Sequence, residues 1–166
     1  MKKIAMRASL WAAAALAIAA GAPSGQADIL AFGSYQGVIG VTAAEQPVPL
    51  RPNGNTTITF ETTEARTLVA VTYNATCYVQ VYSDFGGLGK VRIRITIDGI
   101  ETNPQTGGHE FALCSEQSPG QGMGAHSRQA AMVVRGAGIH TARVSAIYTD
   151  SAYNGALYSS SILIQN

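Results

Sequence analysis

Residues 91–99, VRIRITIDG, alternate apolar and polar side chains without a fault and end at the turn dipeptide Asp98-Gly99. A period of two places one valine and three isoleucines on one face, and two arginines and a threonine on the other. Because only the apolar face can enter a core, the stretch predicts a half-buried β-strand, and Asp-Gly favours a tight turn after it. We therefore expect the sheet to build outward from this strand.

Alternating runs of similar length recur along the rest of the chain. No segment after residue 27 keeps an apolar period of 3.6, so little helix is expected. Regularly spaced strands with Gly and Asn turns between them are typical of two packed antiparallel sheets. The sequence thus predicts an all-β, antiparallel, jelly-roll-like β-sandwich of eight or nine strands. Besides 91–99, the expected strands include Thr56–Thr62, Thr67–Tyr73, His109–Cys114, Arg128–Arg135, Ile139–Tyr148 and Ala156–Ile164.

Three segments between and within these runs bear on the expected topology. The short link between Thr56–Thr62 and Thr67–Tyr73 favours a hairpin. The odd positions from Val69 to Val81 keep one apolar phase, which fits either two strands or one long bent strand. Glycine and proline in Ser115–Ser127 predict an exposed, mobile loop.

The first 27 residues have the organisation of an export signal. Three basic residues precede an apolar run from Ala8 to Ala20, and that run is shorter than the roughly 20 residues that a stable membrane anchor needs. Small residues follow, so we expect cleavage after Ala27 or, alternatively, after Ala22. The product is expected to be secreted or periplasmic, without stable membrane insertion. The sequence thus divides into a signal peptide (1–27), an irregular lead-in or edge strand (28–50) and a sandwich domain (51–166).

The charge of the mature chain limits its partners. Residues 28–166 carry 8 basic and 10 acidic side chains, a net charge of −2 with neutral histidines. The basic residues are spread along the chain, which argues against a nucleic-acid partner.

The two cysteines, Cys77 and Cys114, lie in the exported part, where a disulfide can form and persist. We favour this bridge over two free thiols, and over a metal site, because two thiolates make only half of a structural zinc site. Cys77 is in phase with inward-facing Val79, whereas Cys114 is out of phase with Leu113. A bulge near Leu113 is the favoured explanation; the alternative is that Cys114 faces the core and Phe111 packs on the opposite face.

The strand that ends in Cys77, the I-x-I-D-G strand, the segment Phe111–Cys114 and the G-x-H-T string at 138–141 together resemble a group of small exported bacterial β-sandwich proteins with no assigned activity. The resemblance extends over about Thr56–Ile164. It implies the sandwich fold and the disulfide. It implies no catalytic or binding residues.

Two groups of side chains are candidate binding residues. Tyr78, Gln80 and Tyr82 share the outer face of one strand, and an aromatic platform beside an amide suits a saccharide. The alternative for the tyrosines, which we favour for these residues taken alone, is that exposed tyrosines simply suit β-strands. Arg92 and Arg94 project from one face about 7 Å apart and could clamp an anion. The alternative for the arginines, which we favour, is cross-strand ion pairing with partners such as Glu110 or Glu61.

No residue pattern specifies a catalytic site, a metal site or a cofactor. The chain has no G-x-S-x-G elbow, and the three histidines lack the spacing of metal ligands. His140 is expected to be structural at a strand start, and His126 to lie in the Gly-rich loop. We therefore expect a non-enzymatic exported sandwich that binds a saccharide or cell-surface component. The alternatives are a structural, self-assembling protein, with a homo-oligomer expected, and thirdly a secreted hydrolase.

Overall fold

The computed structural model describes residues 27–81, 88–102, 112–117, 120–150 and 152–166. Almost all of the export signal, Tyr82, His109 and Glu110 lie outside these residues. Ten strands form in the described part, and no helix there has the length and apolar character needed to cross a bilayer. The strands are β1 (Ile29–Val41), β2 (Gln46–Pro47), β3 (Thr57–Thr62), β4 (Arg66–Val81), β5 (Leu88–Ile97), β6 (Ile100–Glu101), β7 (Ala112–Gln117), β8 (Gly120–Arg135), β9 (Gly138–Asp150) and β10 (Ala152–Gln165).

The strands form two antiparallel sheets. Sheet A has the order β1-β10-β4-β8. Sheet B has β9 and β5 at its centre, with β2 and β3 both paired to β9 and with β6 and β7 both paired to β5. The chain passes from one sheet to the other several times, as between β3 and β4 and between β8 and β9. Two packed antiparallel sheets connected in this way form a jelly-roll sandwich, as expected. Two of the ten strands, β2 and β6, have only two residues each.

Residues 91–97 form the C-terminal part of β5, at the centre of sheet B, and Asp98-Gly99 follows as a turn. Val91, Ile93, Ile95 and Ile97 are at most 4% exposed, and they face sheet A. Asp98 and Gly99 both have positive φ, 52° and 79°, which fits the tight turn into β6 that Asp-Gly favours. The prediction of a central, half-buried strand is therefore confirmed.

The core lies between β5 and β4, which face each other from opposite sheets. β4 is one continuous strand whose odd positions from Val69 to Val81 are all buried. Tyr73 is fully buried among them, and this burial raises the pKa of its hydroxyl to about 12, against the opposing effect of the nearby Ser160 hydroxyl.

The disulfide between Cys77 and Cys114 is confirmed, and it joins β4 of sheet A to β7 of sheet B. The bulge expected near Leu113 is also confirmed. Val91 pairs with Cys114 and the next residue, Arg92, pairs with Ala112, so Leu113 is the extra residue. The bulge lets Leu113 and Cys114, adjacent in sequence, both lie in the core.

Two local expectations are wrong. β3 and β4 do not form a hairpin: β3 pairs with β9 in sheet B, and β4 pairs with β8 and β10 in sheet A. The segment Ser115–Ser127 is not one long loop, since it contains the end of β7 and the first half of β8. The glycines of β8 remain extended because every residue from Gly120 to Arg135 pairs with β4.

Candidate functional site

The outer face of sheet A carries a continuous set of uncharged side chains across three neighbouring strands. We call this set the neutral face. The register of β4 with β8 and β10 places its members side by side, and each is a small, amide, hydroxyl, tyrosine or methionine residue. They are Asn74, Thr76, Tyr78 and Gln80 on β4, Asn154, Ala156, Tyr158 and Ser161 on β10, and Gln121, Met123, Ala125 and Ser127 on β8.

Two tyrosines lie near the middle of the neutral face. Tyr78 pairs with Ala156, and Thr76 pairs with Tyr158, so the two tyrosines are diagonal neighbours on adjacent strands. Diagonal positions are about 7–8 Å apart, within reach of aromatic rings. Both are partly exposed, and the Tyr78 hydroxyl donates a hydrogen bond to Oε1 of Gln121 at 3.3 Å. The pair therefore forms an aromatic surface bordered by an amide.

Tyr158 was missed by sequence reasoning because a bulge changes its face. Strict alternation back from Ile162 and Ile164 would turn Tyr158 into the core. Instead, the register of β10 shifts between Tyr158 and Ser161, where Ser159 has a φ of 45°, and Leu157 becomes the buried residue. A positive φ at serine is uncommon, and no turn signal marks the position.

Of the sequence-predicted candidates, Tyr78 and Gln80 lie on the neutral face, while Tyr82 is outside the described residues. Arg92 and Arg94 alternate with the inward residues of β5, so they lie on the outer face of sheet B. The structure thus separates the two candidate groups onto opposite sides of the sandwich. They cannot form one site.

Arg94 is ion-paired, as favoured from the sequence, but with other partners. Its Nη1 lies 2.8 Å and 3.1 Å from the carboxylate oxygens of Glu45, and its Nε lies 3.4 Å from Glu101. Ser145 also donates a hydrogen bond to Glu45. Glu61 instead lies on β3, where it pairs with Ile139 of β9. β3 and β5 lie on opposite sides of β9. With two carboxylates on Arg94, this position is not an anion clamp.

His140 occupies a buried polar network at one end of sheet B. Its Nδ1 lies 2.7 Å from Asp98 Oδ2, and its Nε2 lies 3.1 Å from both the Gly136 carbonyl oxygen and Thr62 Oγ1. The ring is 7% exposed and lies 5.5 Å from the ring of Phe60. Because a carboxylate can only accept, the Nδ1–H of His140 donates the hydrogen bond to Asp98.

The carboxyl group that faces this ring is itself well supported. Asp98 Oδ1 accepts from the backbone N–H of Thr141 at 2.8 Å. Burial opposes ionisation of Asp98, but the hydrogen bonds from His140 and Thr141 and the attraction of His140 outweigh it, so the pKa of Asp98 is lowered.

The order Asp98, His140, Thr62 imitates an acid–base–nucleophile triad. A base would need Nε2 to accept the Thr62 proton, yet that hydroxyl donates to the Gly136 carbonyl at 3.0 Å. Thr62 is also only 4% exposed. The network therefore joins the turn after β5, the end of β3 and the start of β9, which agrees with a structural His140.

A depression of about 270 Å³ lies along β4 and β8. It is lined by four members of the neutral face, Asn74, Thr76, Ala125 and Ser127, and by Ala75, His126 and Ser159. Within the described ranges, no three His, Cys, Asp or Glu side chains cluster as metal ligands would.

In comparisons with known proteins, the chain matches no protein-family model and no curated sequence.

Proposed function

We propose that this protein is a non-enzymatic exported β-sandwich that binds an uncharged saccharide, such as one on a cell surface, through its neutral face. The observation that carries the proposal is the diagonal pair Tyr78 and Tyr158, set among amide side chains. A sugar ring presents a face of C–H groups and a rim of hydroxyls. The first packs on an aromatic ring, and the second needs donors and acceptors beside it.

The chemistry of the surrounding residues supports a neutral ligand. Gln80, Gln121 and Asn154 supply amides that both donate and accept, and the hydroxyl of Thr76 does the same. No member of the neutral face carries a charge, so a bound ligand would not have to displace water from a charged group. The depression of about 270 Å³ is lined in part by Thr76, which pairs with Tyr158, and could receive part of a sugar residue.

The test is binding to a panel of neutral polysaccharides, by affinity electrophoresis or a glycan array, with matched variants. Tyr78→Ala and Tyr158→Ala should each weaken binding about tenfold, since an aromatic contact contributes roughly 1.4 kcal/mol. Arg94→Ala is the matched control, because it removes a large outer-face side chain from the opposite sheet, and binding should persist. Near-identical thermal unfolding of the variants would show that the fold is intact.

A panel with no hit would contradict the proposal, as would a hit that both tyrosine variants retain. Loss of binding in Arg94→Ala alone would place the site on sheet B instead. The self-assembling alternative is favoured by a separate feature, the edge formed by β8.

A further inference from the structure

The edge strands of the two sheets differ in how well they are protected against pairing with another chain. An edge strand exposes unpaired backbone N–H and C=O groups, and proteins commonly blunt such edges with short strands, prolines, lysines or bulges. In sheet B the described edges are short: β2 and β6 have two residues each, β3 and β7 have six each, and β2 contains Pro47. In sheet A, β1 has two register shifts against β10.

β8 is neither short nor bulged, and its charged side chains are limited to Arg128 and Arg135. It has 16 residues, contains neither proline nor lysine, and pairs with β4 from Arg66↔Arg135 to Val81↔Gly120 without a register shift. Among the described residues only β4 pairs with it, so within that part of the chain β8 has a strand partner on one side alone. β1 and β8 are the two edge strands of sheet A, and β8 is thus the one whose pairing is regular along its whole length.

The sequence of β8 is complementary to itself in the antiparallel direction. A two-fold axis perpendicular to the sheet leaves the two faces of the sheet unchanged, so each residue must pair with a residue of the other copy that points to the same face. This holds only if the axis lies at one residue position, where that residue pairs with its own copy. Only axes at Ser127 or Arg128 would pair fifteen of the 16 residues. An axis at Arg128 would oppose two guanidinium groups, which is unfavourable, whereas an axis at Ser127 opposes two small hydroxyls and places His126 opposite Arg128 on the inner face.

The axis at Ser127 also matches small residues with large ones. The glycines in the first half of β8 would lie opposite the apolar residues of the second half, as Gly120 with Val134, Gly122 with Met132 and Gly124 with Ala130. On the outer face, Met123 would lie opposite Ala131 and diagonal to Val133. Met123 and Val133 are 68% and 43% exposed in the single chain, so pairing would cover apolar surface that is now in water.

We infer that two copies of this chain associate through β8, paired antiparallel about a two-fold axis at Ser127, to form a continuous eight-stranded sheet from two copies of sheet A. Because the contact is isologous, it closes at the dimer. The neutral faces of the two copies become one surface, so a repeating polymer could contact both. The inference concerns the edge alone and stands whether or not the neutral face binds a saccharide.

The test uses the oxidised full-length chain in sedimentation velocity over a range of concentrations. We expect a monomer–dimer equilibrium. Ser127→Lys should raise the dimer dissociation constant at least about tenfold, because it opposes two ammonium groups across the axis. Unchanged thermal unfolding of this variant, compared at a dilution at which both proteins are monomeric, would show that the subunit fold is intact.

A cysteine variant tests the register directly. Ser127→Cys should form an intermolecular disulfide under mild oxidation, since residues opposed across an antiparallel pair lie within about 4.5–5.5 Å between Cα atoms. Gln36→Cys, exposed on the opposite edge strand β1, is the matched control and should cross-link far more slowly. A monomer at all concentrations, an oligomer that Ser127→Lys leaves intact, or equal cross-linking of the two cysteine variants would each overturn the inference.

Discussion

Asp98 connects the turn after the central strand to the neighbouring strand β9. Its backbone takes a positive φ of 52°, and its carboxylate accepts from both His140 and the Thr141 amide. The first property was readable from the dipeptide Asp98-Gly99, because aspartate tolerates the left-handed region. The second was not, since His140 lies 42 residues further along the chain.

We predict that Asp98→Asn lowers stability by about 1 kcal/mol at pH 7. Asparagine tolerates the same positive φ and can still accept from Thr141, so the change isolates the charged contact with His140. About 1 kcal/mol is appropriate because the Asp98 side chain is 45% exposed, which screens the pair.

The pH dependence of stability should differ between the two proteins. The folded state lowers the pKa of Asp98, so its contribution is complete above the unfolded-chain pKa of about 3.9 and is lost as the pH falls through the folded value. Urea unfolding at pH 7 and pH 3 should therefore show the wild type approaching the variant in acid. A constant difference at both pH values would contradict this role of Asp98.

At the scale of elements, β5 has one face for packing and one for solvent, and the two faces should differ sharply in energy. Ile95 is 4% exposed, so Ile95→Ala should cost about 2–5 kcal/mol through lost burial and the cavity left behind. Arg94→Ala, one residue away, should cost less than about 1 kcal/mol, because its ion pairs with Glu45 and Glu101 lie in water.

Chemical denaturation of these two variants measures both values under one set of conditions. The neighbouring positions share the same strand and the same backbone pairing, so each serves as the other's control. Similar losses for both would mean that the outer face of β5 is more than a solvated, ion-paired surface.

The bulges at Leu113 and Ser159 differ in whether the sequence predicts them. The bulge at Leu113 was expected because two cysteines that must meet were out of phase, which is a constraint visible in the sequence. The bulge at Ser159 had no such constraint, and it decides that Tyr158 joins Tyr78 on the neutral face. An extra residue in a strand is settled by packing on both sides, which single-strand periodicity cannot report.

For the whole molecule, the disulfide joins the two sheets and closes a loop of 37 residues that contains the central strand. We predict that Cys77→Ala lowers the free energy of unfolding by about 4 kcal/mol, the loop-entropy value for a ring of this size, with the lost side-chain contact adding to it. Equilibrium urea unfolding of the oxidised protein and the variant would measure this loss.

Reduction of the wild type provides the control, since it opens the ring without changing the side chains. Reduced wild type should lose a similar amount of stability, and reducing agent should not affect Cys77→Ala. Equal stability of the oxidised and reduced wild type would contradict a stabilising role for the bridge.

The sequence alone was sufficient for the all-β class, the half-buried strand at 91–99, the inward face of β4 and the cysteine pair. These follow from local periodicity and pairing arithmetic, which act within a few residues or between two unique partners. Only the tertiary structure decided that β3 and β4 belong to different sheets, that Gly120–Ser127 extends as β8, and that the arginines and tyrosines lie on opposite faces. Those outcomes depend on which distant strands pair and in what register, and the energy of that choice lies in contacts between segments that are far apart in the chain.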